Sequence, residues 1–383
     1  MRAHEIQIEI DDVASCPGSC AGCILTKDER LSHGPMMSED MLERVHGRVA
    51  EYVGTLEGLK TINITYGIAD HLMMPDGYVE RLYRRGADLV LGSGISGGEC
   101  AVFFTTSVIG RYEKVAPKLE RIANTVVEGV PLYPVVVLDP CKLQLTEYGK
   151  TYAKSFALSR TLFGKVDLTL NLSRSAIRSM TAKELCDFAS EHGFSWLTVN
   201  LAPTRQNYEA TLGAREEIQD WLLEFAKEAD ARGIAYSYGP VMRRSLAATT
   251  INPGDFVINE VVFETTAKSL QVDHHGNIMF KAEAIGDVFH GERFGYKPMG
   301  NVEDGPIRPM VDVAKHKISR AIVQDHLKVP ACRDCQYLNP CMMTGFHTYN
   351  RMLGEMGGWP KGDGCPHVAK ALFNHYAAEV AAA

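Results

Sequence analysis

From Glu5 to about residue 235, hydrophobic and polar positions follow two alternating rhythms. Short β-branched and aromatic runs occur at Glu5–Asp12, Thr61–Gly67, Ala101–Thr106, Tyr133–Leu138, Val166–Leu172 and Trp196–Leu201, and each reads as a strand. Most are followed by a helical period, as in Ser38–Leu56, Glu113–Val127, Thr181–His192 and Glu216–Arg232. Ser38 ahead of Asp40 and Met41, and Thr181 ahead of Glu184, read as helix starts. Alternating βα units predict an α/β fold, a parallel sheet with helices outside it. Six units are too few for a closed eightfold barrel and enough for an open one.

After about Tyr238 the rhythm changes. Phe256–Glu264 and Ser269–Lys281 read as strands, with His275-Gly276-Asn277 as a turn. Beyond them turn residues are frequent and cysteines dense. The expected division is therefore residues 1–240 and 241–383, the second a smaller domain whose thin core needs a metal staple.

Composition narrows the classes. Hydrophobic content of 45% and a net charge of −7 suit a soluble protein without a general grip on nucleic acid. No apolar run is long enough to span a membrane, and Met1–Asp12 lacks the form of a signal peptide, so a cytoplasmic location is expected. Ten cysteines in such a compartment point to metal or catalysis rather than disulfides. Seven of them fall in two clusters; Cys100, Cys141 and Cys186 are scattered.

The first cluster, Cys16-Pro-Gly-Ser-Cys20-Ala-Gly-Cys23, follows the first strand on a Gly-rich loop. Three thiolates can converge on a four-iron cluster and leave one iron open to bind substrate; the bland alternative is a zinc site short of a ligand. The second cluster is Cys332-Arg-Asp-Cys335, then Cys341 and Cys365. Its four thiolates suit zinc or a four-iron cluster, and spacing alone does not separate the two.

The CxxxCxxC loop after a first strand resembles the radical S-adenosylmethionine superfamily, a resemblance that covers the whole chain. It implies a partial (β/α)6 barrel of TIM type, and an open iron that chelates the amino and carboxylate groups of S-adenosylmethionine. Reductive cleavage to a 5′-deoxyadenosyl radical and hydrogen abstraction from a substrate would follow. Two marks of the family depart here: Gly22 replaces the aromatic before the third cysteine, with Ile24 or Leu25 as substitutes, and the double glycine before Asp70 is incomplete. Asp70 is the position-matched acidic residue for the cofactor's amino group, and Gly97-Gly98-Glu99 is its rival. Thr106, Ser107, Asp139, Asn171, Ser173 and Arg174, at the ends of later strands, are the further cofactor-binding candidates. Each is also a plausible helix cap or loop residue.

The C-terminal cysteines resemble the SPASM extension of these enzymes. Lys281 and Gly345 stand where the inner auxiliary cluster would take cysteines. The resemblance therefore implies a single auxiliary four-iron cluster, on Cys332, Cys335, Cys341 and Cys365, with zinc as the alternative. Cys141 is a candidate hydrogen donor, though a free cysteine is often a plain core residue. Tyr238 and Asp273, with Tyr236, His274 and His275, are candidates for proton handling.

The resemblance favours a peptide- or protein-modifying maturase or oxidoreductase over a small-molecule dehydrogenase or epimerase. A non-catalytic iron–sulfur or zinc scaffold is the reading from another class. A reductant such as flavodoxin or ferredoxin is implied. Any leader peptide is expected to need a separate recognition protein or direct barrel contact, because the cluster motif begins at Cys16.

Overall fold

The computed structural model describes residues 5–13, Cys16, Gly18, Cys20, Cys23, 36–67, 69–95, 100–144, 146–194, 196–201, 215–248, 269–280, 298–342, Cys365 and 369–382. The expected strand Phe256–Glu264, the Gly97-Gly98-Glu99 segment, Gly22, Ile24, Leu25, Lys281 and Gly345 lie outside the described residues.

Six strands form where the period-two pattern places them: β1 (Glu5–Ile10), β2 (Thr61–Tyr66), β3 (Ala101–Thr106), β4 (Leu132–Leu138), β5 (Asp167–Leu172) and β6 (Trp196–Leu201). Each pairs in parallel with the next. The expected Ser269–Lys281 run becomes a hairpin, β7 (Ser269–Val272) and β8 (Asn277–Phe280), and a two-residue β9 (Gly300–Asn301) follows. The sheet reads β6-β5-β4-β3-β2-β1-β7-β8-β9, parallel up to β7 and antiparallel beyond it. The hairpin therefore continues the sheet of the preceding βα units through the β1–β7 pairing, from Gln7 opposite Ser269 to Ile10 opposite Val272.

Parallel strands covered on both faces are apolar almost throughout. These strands instead alternate. Ile6, Ile8 and Ile10 of β1 and Ile62, Ile64 and Tyr66 of β2 are buried in the core. Gln7, Glu9, Asn63 and Thr65 occupy the opposite face. One face is thus packed under helices and the other is a polar lumen, as an open barrel requires. Full burial of one isoleucine contributes about 1.5–3 kcal/mol, which makes the β1 triplet a main anchor.

The helices on the outer face are α1 (Glu39–Gly54), α2 (Tyr78–Gly92), α3 (Tyr112–Ala123), α4 (Pro140–Leu143), α5 (Thr146–Phe163), α6 (Arg174–Ser179), α7 (Ala182–His192) and α8 (Arg215–Arg232). Ser38 caps α1, its hydroxyl accepting from the Met41 N–H at 3.1 Å. Thr181 and Glu184 form a reciprocal capping box on α7. Each such cap contributes about 1 kcal/mol. The later helices are α9 (Tyr238–Ala248), α10 (Ile307–Lys328), α11 (Pro330–Arg333), α12 (Leu338–Met342) and α13 (Ala369–Ala382). The expected division at residue 240 falls within α9. Among the described residues no helix is long and apolar enough to cross a membrane.

Candidate active site

The chemistry-bearing residues gather at the C-terminal ends of the parallel strands. Directly after β1 come Asp11 and Asp12, both buried, and then the cysteine loop. Cys16, Cys20 and Cys23 are half-buried and in no disulfide. The loop turns tightly: the Gly18 N–H donates to Cys16 Sγ at 3.4 Å, and the Cys23 N–H donates to the Cys20 carbonyl at 3.2 Å. A Cβ on Gly18 would stand 3.2 Å from Cys16 Sγ and 3.8 Å from Cys20 Sγ, so glycine keeps the space between those sulfurs clear. Burial pushes the Cys20 thiol up to about 12, with Asp139 and the two other cysteines adding to it and Lys142 opposing. A bound cation reverses that balance and favours thiolate.

After β2, Asp70 caps a single 3-10 turn, His71–Met73. Its carboxylate accepts from Thr106 Oγ1 at 2.7 Å, from Ser107 Oγ, and from the Leu72 N–H at 3.2 Å. Three of the residues singled out in the sequence as cofactor-binding, Asp70, Thr106 and Ser107, thus form one buried cluster. Beside it, His71 faces Asp12, Nε2 to Oδ1 at 3.0 Å, and its Nδ1 donates to the Thr105 carbonyl at 3.0 Å. The Tyr78 hydroxyl also donates to Asp12, at 2.7 Å. A carbonyl only accepts, so the Thr105 contact fixes a proton on Nδ1, and the Asp12 carboxyl beside Nε2 favours the imidazolium form. Burial alone would lower the imidazole's pKa; the Asp12 charge and hydrogen bond overcome it and hold the value above the ordinary one. His46 shows the contrast. Its Nδ1 donates to the Leu42 carbonyl, its Nε2 meets the Tyr66 hydroxyl at 2.6 Å, and burial lowers its pKa.

At the end of β4, Asp139 caps α4 by accepting from the Cys141 N–H at 3.1 Å. Lys142 lies 3.6 Å from Asp139 Oδ2 and 3.8 Å from Cys20 Sγ, which carries a cation to the cysteine loop. The Cys141 thiol lies 3.2 Å from the Ser179 hydroxyl. Ser173 caps α6 through the Ala176 N–H at 3.1 Å. Arg174 shares Glu217 with Arg178, at 2.9 and 3.0 Å. Asn171 is half-buried on the lumen face of β5, between the buried Leu170 and Leu172.

Asp273 serves the β7–β8 turn: its Oδ1 accepts from the His275 and Asn277 N–H groups at 2.9 and 2.8 Å, and its Oδ2 from Asn277 Nδ2 at 2.9 Å. The His274 and His275 rings lie close, centroids 3.8 Å apart and tilted by 43°. Tyr238 opens α9 half-buried against the core. Tyr236 donates to Asp230 at 3.0 Å and contacts the Tyr376 hydroxyl.

The second cysteine group occupies a different setting. Cys332, Cys335, Cys341 and Cys365 line one cavity with Tyr337 and Phe373, whose rings stack at 5.2 Å. The Cys335 N–H donates to the Cys332 carbonyl at 3.2 Å and the Cys341 N–H to the Tyr337 carbonyl at 2.8 Å. Among the described residues no three His, Cys, Asp or Glu side chains are gathered into a closed ligand set. The fit of both cysteine groups to metal therefore rests on donor chemistry: three thiols around a glycine-cleared loop, and four thiols around one cavity. Both sets suit iron–sulfur clusters, and the second also suits zinc.

Sequence reasoning missed Asp11, Asp12, His71, Tyr78, Lys142 and Gln271. A local signal existed only for Asp11 and Asp12, two adjacent acids immediately after an apolar strand.

No family model matches the chain, and no curated protein matches it. Solved structures do share its fold. A hexahistidine-tagged form of anSMEcpe with bound AdoMet matches at 11% identity and a TM-score of 0.59, over 99% of this chain and 97% of that one. Native anSMEcpe with bound AdoMet matches at 11% identity and 0.58, over 92% and 97%. Streptococcus suis SuiB bound to S-adenosylmethionine matches at 13% identity and 0.51, over 89% and 72%. The chain thus shares the overall fold of these S-adenosylmethionine-bound proteins.

Proposed function

We propose that this chain is a radical S-adenosylmethionine enzyme acting on a peptide or protein. The observation that carries the reading is the Cys16–Cys20–Cys23 loop at the mouth of an open barrel whose structural neighbours bind AdoMet. Cys16, Cys20 and Cys23 would hold a four-iron cluster, which would supply the electron for reductive cleavage of S-adenosylmethionine and so the radical that takes hydrogen from the substrate. Every other step belongs to residues of this chain. Asp70, oriented by the Thr106 and Ser107 hydroxyls, receives the cofactor's ammonium group. His71 and Tyr78 fix Asp12 and, through it, the start of the cysteine loop.

Asp139, Asn171, Ser173 and Arg174 stand at the neighbouring strand ends as contacts for ribose, carboxylate or adenine. Cys332, Cys335, Cys341 and Cys365 hold an auxiliary centre. Cys141, Tyr238 and Asp273 are the hydrogen- and proton-handling candidates. A flavodoxin- or ferredoxin-type protein is the reductant, and the location is cytoplasmic.

The test is anaerobic reconstitution with iron and sulfide, then reduction with dithionite in the presence of S-adenosylmethionine. Release of 5′-deoxyadenosine, measured by mass spectrometry, is expected from the unsubstituted protein. Loss of that release is expected when Cys16, Cys20 and Cys23 are all changed to Ala. Equal release by the triple variant would sink the reading.

A further inference from the structure

We propose that the barrel wall built from the ends of β1, β2 and β7 holds a subsite for a primary ammonium group of the substrate, received by Asp11, Gln271 and Glu9. The proposal rests on the radical reading above and names its substrate class. Asp11 is fully buried and Gln271 nearly so. Gln271 Nε2 donates to Asp11 Oδ2 at 2.6 Å, which fixes the amide's orientation. Among the described residues the amide's other atom, Oε1, finds no hydrogen-bond partner, and neither does Asp11 Oδ1. Two acceptors, one just past β1 and one in β7, are thus buried without a donor among the described residues, an arrangement proteins rarely leave unfilled. What they lack is a group that donates and does not accept.

Glu9 makes that group a cation. A Cβ on Gly67 would stand 3.0 Å from Glu9 Oε1 and 3.2 Å from Asp11 Oδ1, so both carboxyl groups reach the same small volume beside the end of β2. Glycine at this position lets both carboxylates approach the end of β2 this closely. Asp12, the next carboxylate, is already matched by His71 and Tyr78, and Asp273 by its own turn. Burial first, then Glu9, with Asp12 and Asp273 adding, pushes the Asp11 carboxyl well above the usual range, against the opposing pull of the Gln271 hydrogen bond. A positive donor removes the repulsion and fills both acceptors in one step.

An ammonium fits better than a guanidinium. Asp11 Oδ2 is taken by Gln271, so Asp11 offers a single oxygen and no two-pronged face for a planar fork. A compact ammonium carries three diverging donors for acceptors on three side chains. The subsite lies at the same strand ends as the cysteine loop, only a few residues before Cys16. A lysine side chain, a peptide amino terminus and a small amine all present this chemistry.

The test uses the reconstituted protein with S-adenosylmethionine and no reductant. Butylammonium, butylguanidinium and butyramide are titrated by saturation-transfer NMR. Butylammonium is expected to bind at least about tenfold tighter than the isosteric amide and tighter than the guanidinium. Asp11→Asn is expected to weaken it about tenfold, and Glu9→Gln serves as the second variant should Asp11→Asn fold poorly. Equal binding of ammonium and amide overturns the proposal, as does guanidinium preference or unchanged binding in a folded variant. Nα-acetyl-lysine methylamide against glycine methylamide then separates a side-chain from a terminal amine. Failure of the unsubstituted protein to release 5′-deoxyadenosine on reduction would instead count against the radical reading, which this binding assay does not touch.

Discussion

The two cysteine groups use one residue type in opposite settings. Cys16, Cys20 and Cys23 are half-buried on a glycine-cleared loop, beside charged Lys142 and Asp139 and the polar lumen. Cys332, Cys335, Cys341 and Cys365 line a cavity walled by Tyr337, Leu338, Ala369 and Phe373. A cofactor that must bind and transform a ligand needs access and directed charge, whereas a bracing or relaying centre needs exclusion of water. On the proposed function, the surroundings of the thiols would separate these roles where their number and spacing do not.

The largest effect that would break this comparison comes from deletion of each group. Changing Cys16, Cys20 and Cys23 to Ala should abolish 5′-deoxyadenosine release; changing Cys332, Cys335, Cys341 and Cys365 to Ser should leave uncoupled release within a few-fold. The second change should instead lower the melting temperature by about 5–10 °C, read by anaerobic calorimetry. Iron analysis sharpens the point: about eight irons per chain mark two four-iron clusters, and about four with bound zinc mark a zinc brace.

Next in size, Asp70→Ala should weaken S-adenosylmethionine binding about tenfold or more, measured by equilibrium dialysis. The same measurement on Cys335→Ser should show almost no change. A smaller effect concerns the cation at the loop. Lys142→Gln removes a positive charge 3.8 Å from Cys20 Sγ. The cluster potential should then fall by on the order of 50–100 mV, read by redox titration with electron paramagnetic resonance. No shift at all would mean that Lys142 does not address that centre.

The smallest expected effect is a pH dependence. The folded-state pKa of His71 lies above its unfolded value, so its pairing with Asp12 stabilises fully below about pH 6.5 and fades as pH rises through the raised value. The melting-temperature difference between the unsubstituted protein and His71→Gln should therefore shrink from pH 6 to alkaline pH. A difference that grows over that range would contradict an imidazolium at this position.

Much of the barrel was legible because a strand with one core face and one polar lumen face must alternate with period two. Ile6, Ile8 and Ile10 against Gln7 and Glu9 show it plainly, and the Thr181–Glu184 capping box marked a helix start for the same local reason. The position of Cys16, Cys20 and Cys23 just after β1 was legible in the sequence. The charged partners were not, because they meet through the fold. Lys142 reaches Cys20 across 122 positions of sequence, and Gln271 reaches Asp11 across 260. The triad of Asp12, His71 and Tyr78 draws on three separate segments. Asp273 illustrates the converse: its place in the sequence suggested proton handling, while its carboxylate accepts the N–H groups of its own turn.

The pairing of β7 with β1 has a consequence for the order of assembly. The Asp11 N–H, at the root of the cysteine loop, donates to the Val272 carbonyl at 2.9 Å. During synthesis that acceptor emerges long after the six βα units could have condensed. Contacts of such sequence separation are slow to form, since most of the chain must be ordered before they close. The β1–β7 seam at the mouth of the barrel is thus the last part of this sheet to close.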